Sequence, residues 1–143
     1  MYNYRYSCNI TEKIIMKEIT RAQEEIMHAL WKIKEGVVND ILYQLPVPRP
    51  AYNTVSTVVR VLEKKGYIGH RVYGKIHVYY PRIEQEEYAR HQVKGLLSGY
   101  FGNSVKSLVS FFAVKEKIDL KELEDIRKLI ENEIKKQKRV GNE

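Results

Sequence analysis

A mainly α fold carrying one small β-hairpin is predicted by this sequence, on three observations. Val55, Val58, Val59 and Leu62 recur at i, i+3, i+4 and i+7, which makes one apolar face of an amphipathic helix. Gly66 stops that helix, and two runs rich in Tyr, Val and Ile follow, joined by Gly74-Lys75. Every segment beyond Pro81 has helical periodicity. Taken in this order, these are the parts of a winged helix-turn-helix DNA-binding domain with a helical dimerisation tail.

Residues 1–15 have no amphipathic pattern and are expected to be an N-terminal extension. Translation could begin at Met1 or at Met16, so no function is placed on Tyr2, Tyr4 or Tyr6. Thr20 and Gln23 form a capping box that opens a first helix over about 20–34. Ile26, Met27, Leu30 and Trp31 are its apolar stripe, and Gly36 is expected to end it. A short second helix over 37–45 turns Val38, Ile41, Leu42 and Leu45 inward. Pro46, Pro48 and Pro50 then make a stiff connection that cannot be helix interior. The third helix spans about 51–65. Strands over 67–73 and 76–80 follow, with the Gly74-Lys75 turn between them and Pro81 closing the second.

The winged-helix domain is therefore expected over 16–82, a helical dimerisation domain over 83–136, and a frayed tail over 137–143. Within the tail one helix runs from Glu84 to about Phe101, broken by Gly102, and another from Ser104 to Ala113. Asp119 and Glu122, at capping-box spacing, open a last helix. These helices carry too many apolar residues for a lone surface. Leu96, Leu97, Leu108, Phe111, Phe112, Leu123, Ile126 and Ile130 are expected to pack against a second copy, giving a homodimer.

The formal net charge is +7 over 143 residues, which favours a polyanionic partner. Its distribution is more telling. Residues 49–82 hold seven basic side chains and one acid, Glu63, for a local net of +6. The positive field thus sits on the third helix and the hairpin, as expected of a protein that binds double-stranded DNA. Asn53, Thr57, Arg60 and Lys64 line the helix face opposite the apolar one, with Ser56 on its flank. Asn53 can pair with adenine, Arg60 can reach guanine or phosphate, and Ser56 and Thr57 can contact either. Tyr52 and Thr54 complete the predicted helix contacts, Lys64 is placed on phosphate, and Arg71, Lys75 and His77 can touch the flanking backbone or minor groove from the hairpin, Lys75 foremost because it sits at the tip.

Other chemistry is not indicated. No apolar run approaches a membrane span, so no membrane insertion is expected. The polar N-terminus has no signal-peptide core, and Cys8 is the only cysteine, so a cytoplasmic location fits. His28, His70, His77 and His91 lack metal-ligand spacing. There is no nucleophile–base set and no phosphate loop, so neither enzyme activity nor a cofactor is expected. Trp31, on a helical stripe, is read as core, and Val72, Tyr73 and Tyr79 as packing or lining residues of the wing.

Leu30-Trp31, the run Asn53-Thr54-Val55-Ser56-Thr57-Val58, and the run from Arg60 to Ile68 carry a resemblance. With Val78-Tyr79-Tyr80-Pro81 and Ser107-Leu108-Val109, they make the chain resemble the penicillinase repressor family over about 16–136. The resemblance implies a dimeric winged-helix repressor that binds palindromic operators through its third helix and wing. In the antibiotic-responsive branch it also implies cleavage in the tail, started by a membrane-bound sensor metalloprotease during a β-lactam response. Three departures stand out. Ser56 replaces an Arg and Asn53 a Lys of the methicillin and β-lactamase repressors, which implies a different base preference. Phe111-Phe112 stands where those repressors have their scissile Asn–Phe bond. The Cys-x-Cys pair of the copper-responsive branch is missing. Two rival readings remain: a ligand-responsive winged-helix regulator without proteolytic induction, and a protein-interaction module that binds no DNA.

Overall fold

The structure is a computed structural model that describes residues 16–141. The expected extension over 1–15, including Cys8, lies outside the described residues. The chain divides into two compact units that meet between Ala89 and Arg90. The divide falls inside a helix, and Tyr88, just ahead of it, is buried in the first unit.

The first unit holds α1 (Arg21–Ile33), α2 (Val38–Gln44), α3 (Tyr52–Lys64), β1 (Ile68–Tyr73) and β2 (Ile76–Pro81). Helix α1 starts as its capping box dictates. The Gln23 amide donates to Thr20 Oγ1 at 3.2 Å, and the Thr20 amide donates to Gln23 Oε1 at 2.9 Å. Its end differs from expectation. Lys34, not Gly36, takes a positive φ of 72°, with ψ −43°, and its amide closes the helix on the Leu30 carbonyl.

Gly36 has another task. It pairs with Tyr79 by two backbone hydrogen bonds, of 2.8 and 3.0 Å, along the free edge of β2. A Cβ at Gly36 would lie 2.8 Å from Asp40 Cβ, at the head of α2, where Asp40 Oδ2 accepts from the Val37 amide. Gly36→Ala is therefore expected to cost about 1–3 kcal/mol of unfolding free energy, measured by urea titration.

The core is built from the predicted stripes. Ile26, Met27 and Leu30 of α1, Val38 and Ile41 of α2, and Val55, Val59 and Leu62 of α3 are buried together with Leu45, Tyr67, Ile68 and Tyr79. Leu42 and Val58 are only half-buried. The proline connection between α2 and α3 is held by Arg49. Its guanidinium donates to the carbonyls of Leu45 and Tyr43 at 3.3 and 3.1 Å and lies over the Tyr43 ring. The hairpin pairs Ile68 with Pro81 and Tyr73 with Ile76, and Gly74 turns it with φ 63°.

Two ties close this unit onto the start of α4 (Gln85–Tyr100). Trp31 Nε1 donates to the Ile83 carbonyl at 2.8 Å, and the Tyr88 hydroxyl donates to Glu24 at 2.9 Å. Trp31 is therefore a half-buried anchor with a specific polar partner rather than simple core filling.

The second unit holds the remainder of α4, α5 (Val105–Ser110), one π-helical turn (Phe111–Lys115) and α6 (Leu120–Gly141). Gly102 and Asn103, with φ 56° and 61°, break the chain after α4 as expected. Ser104 caps α5, its hydroxyl accepting from the Ser107 amide, and Asp119 caps α6 by accepting from the Glu122 amide. One feature differs from the prediction: the helix after Ser104 converts to a π turn at Phe111. Helix α6 runs to Gly141.

None of the described residues of this unit is buried. Leu97, Leu108, Leu123 and Ile126 are half-buried, while Leu96, Phe111, Phe112 and Ile130 are exposed. Leu96, Tyr100, Phe101, Leu108, Phe111 and Phe112 line an open apolar groove of about 490 Å³. Among the described residues no helix is long and apolar enough to cross a membrane.

Candidate nucleic-acid interface

Helix α3 turns Val55, Val59 and Leu62 into the core, which fixes what faces outward. Asn53, Thr57, Arg60 and Lys64 share the outer stripe, and all four are exposed. The Thr57 hydroxyl is engaged, donating to the Asn53 carbonyl one turn back at 2.8 Å. It keeps its acceptor lone pairs for a partner. Tyr52 is exposed at the start of the helix, and Ser56 is half-buried on its flank. Thr54 is exposed on the opposite flank, where it borders a small cleft with Pro48 and Pro50.

The basic residues of 49–82 divide into two groups. Arg49 braces the proline connection, and Lys65 Nζ donates to the Glu18 carbonyl and to Gln23 at 3.0 and 3.1 Å. Arg71 pairs with Glu35 at 3.3 Å and lies over the Tyr80 ring, 4.9 Å from its centroid. These three charges hold the fold together as well as adding to its field. Arg60 and Lys64 on α3, Lys75 at the hairpin tip and Arg82 just past β2 are exposed.

The wing differs from its expected packing. Val72 and Tyr73 are 55% and 59% exposed, and Ile76 is 56% exposed, so the tip is apolar around Lys75. Tyr79 alone packs, as expected. Burial pushes its hydroxyl above the usual tyrosine range, Glu63 adds to that push, and Arg60 opposes it.

One cluster was missed from the sequence. Glu63, on the last turns of α3, lies 2.6 Å from His70 Nδ1 on β1. The His70 ring stacks on His77 of β2, with centroids 4.8 Å apart and planes within 2°. The register could have revealed it. A turn at Gly74-Lys75 sets His70 opposite Tyr79 and His77 opposite Val72, which puts both imidazoles on one face of the hairpin.

Three helices, a two-stranded wing and an outward stripe of amide, hydroxyl and cationic groups define the winged-helix class. Residues 19–132 match the model of the penicillinase repressor family, and the chain belongs to that family. It is 28% identical over 114 residues to the methicillin resistance regulatory protein MecI of Mammaliicoccus sciuri, covering 79% of this chain and 93% of that protein. It is 28% identical over 120 residues to the penicillinase repressor of Staphylococcus aureus, covering 83% of this chain and 94% of that protein. The penicillinase repressor of Bacillus licheniformis is 24% identical over 115 residues, covering 80% and 90%. Among solved structures, the solution structure of the Bacillus licheniformis BlaI monomeric form in complex with the blaP half-operator is similar. It shares 28% identity, covers 51% of this chain and 90% of that one, and has a TM-score of 0.44.

Proposed function

We propose that this chain is a cytoplasmic, non-enzymatic transcriptional repressor that binds a palindromic operator as a homodimer. The observation that carries this reading is the outer stripe of α3. It offers two base-reading side chains, Asn53 and Arg60, and a phosphate partner, Lys64, on a helix whose other face is locked into the core. Lys75 adds a wing contact. Ser56, Thr57, Tyr52 and Thr54 complete the helix contacts, while Arg71 acts from the base of the wing. Relatives named as a methicillin resistance regulator and as penicillinase repressors support repression as the outcome.

The tail dimerises through Leu96, Leu97, Leu108, Phe111, Phe112, Leu123, Ile126 and Ile130, whose incomplete burial in one chain supports this role. Two third helices then occupy successive major grooves about 34 Å apart. Induction follows from cleavage at Phe111–Phe112, begun by a membrane-bound sensor metalloprotease.

Selection of bound duplexes from a random pool tests the reading. The enriched site is expected to be an inverted repeat. Its affinity is expected to fall steeply with salt, by about 0.9 log units per log unit of salt for each phosphate neutralised. Enrichment of no site, with no salt-dependent duplex binding, would leave the protein-interaction module as the better reading.

A further inference from the structure

The Glu63–His70–His77 array joins α3 to the wing, and neither the base contacts nor the core needs it. Glu63 is the one acid within 49–82, and it stands on the helix that carries Arg60 and Lys64. A bare carboxylate there would repel a phosphate backbone. His70 covers it, approaching at 2.6 Å. His77 then lies flat against His70 with ring centroids 4.8 Å apart, and it is exposed.

Imidazole exchanges its proton between about pH 5 and 8. Glu63 is the one carboxylate of the array, and His70 is the ring set against it. His77, stacked on that ring, has no carboxylate set against it among the described residues. Tyr79 of β2 packs against both rings, with centroids 5.9 Å from His70 and 6.3 Å from His77. Burial holds the Tyr79 phenol neutral, so it offers no compensating charge. A phosphate would supply what is missing. A helix lying in the major groove is flanked by backbone, and a wing leaving that helix at its C-terminal end meets that backbone.

We propose that DNA binding is linked to proton uptake by this array, with His77 as a proton-dependent phosphate contact and Glu63 and His70 as the groups that position it. This inference rests on the DNA-binding reading above. The sign follows from linkage: a complex that holds one more proton than the free protein tightens as pH falls. The limit is tenfold in affinity per pH unit for one proton, reached only where the complex is protonated and the free protein is not.

Fluorescence anisotropy of the full chain with a mixed-sequence duplex, at constant low salt from pH 8 to pH 6, tests this. Affinity is expected to rise about three- to tenfold across that range. His77→Gln is expected to lose most of the rise, and so is His70→Gln. His91→Gln, on α4 of the second unit, is expected to keep it. Circular dichroism at each pH identifies any variant that fails to fold, and a hydrogen-bonding His77→Asn exchange then takes its place. Duplex binding that does not vary with pH, or that varies equally in the wild type and the His77 variants, overturns the proton linkage and leaves the DNA-binding reading standing. Absence of duplex binding at every pH overturns both.

Discussion

Exchanging Asn53 and Arg60 together for Ala is expected to weaken binding to the selected operator a hundredfold or more, while the oligomeric state and the fold stay unchanged. A good base contact is worth about 1–3 kcal/mol of discrimination, and about 1.4 kcal/mol is a factor of ten in affinity. Removing both side chains from each of two half-sites therefore takes the effect past a hundredfold. Both residues are exposed on α3, and neither contributes to the buried cluster. Surface exchanges of this kind usually change stability by about 0.5 kcal/mol or less.

The measurement is anisotropy with the selected duplex and, separately, with a scrambled one. Specific affinity should collapse toward the scrambled value. Each single variant then divides the labour. If Asn53 reads a base, Asn53→Ala relaxes preference at one position and leaves the salt slope alone. If Arg60 touches phosphate instead of guanine, Arg60→Ala weakens both duplexes alike and lowers the salt slope by about one. Unaltered operator affinity in the double variant would remove α3 from the reading role.

Ser56 shows how far sequence alone reached into this surface. Its offset of about 40° from Arg60 on a helical wheel makes it a flank residue, and the structure finds it half-buried there. The apolar stripes of α1 and α3, the capping boxes and the Gly74 turn were legible because each depends on neighbours within a few residues. Pairings made across the chain were not. Nothing local says that Gly36 would abandon the helix end to pair with Tyr79, or that Trp31 would find the Ile83 carbonyl.

Charge was legible as a sum but not as a distribution of duties. The local +6 holds as arithmetic, yet Arg49, Lys65 and Arg71 are tied to Tyr43, Glu18 and Glu35, partners that lie in other segments. The π turn escaped for a different reason. Phe111 to Lys115 has ordinary helical composition, and no residue in it marks the shift in hydrogen-bond spacing.

The second large effect belongs to the tail. Leu108→Asp combined with Phe112→Asp is expected to convert the proposed dimer to monomer, raising its dissociation constant a thousandfold or more. Burying a Leu or Phe side chain contributes about 1.5–3 kcal/mol, and in a twofold interface each exchange acts twice. A carboxylate placed in an apolar contact adds a desolvation cost. Both residues line the groove formed with Leu96, Tyr100, Phe101 and Phe111, so both changes strike one surface.

Sedimentation velocity measures the oligomeric state directly. The first unit has its own buried cluster, from Ile26 to Tyr88, and none of the exchanged residues belongs to it. Its thermal transition should therefore persist in the monomer. Operator affinity should fall with the dimer, because the second half-site is then bound from bulk solution rather than at the high effective concentration that a joined partner provides. Affinity for an isolated half-site should be nearly unchanged. That pair of results separates a tail that joins two readers from a tail that shapes the reader itself. A dimer surviving both aspartates would move the interface away from this groove, and a half-site affinity lost along with dimerisation would show that the two units do not act independently.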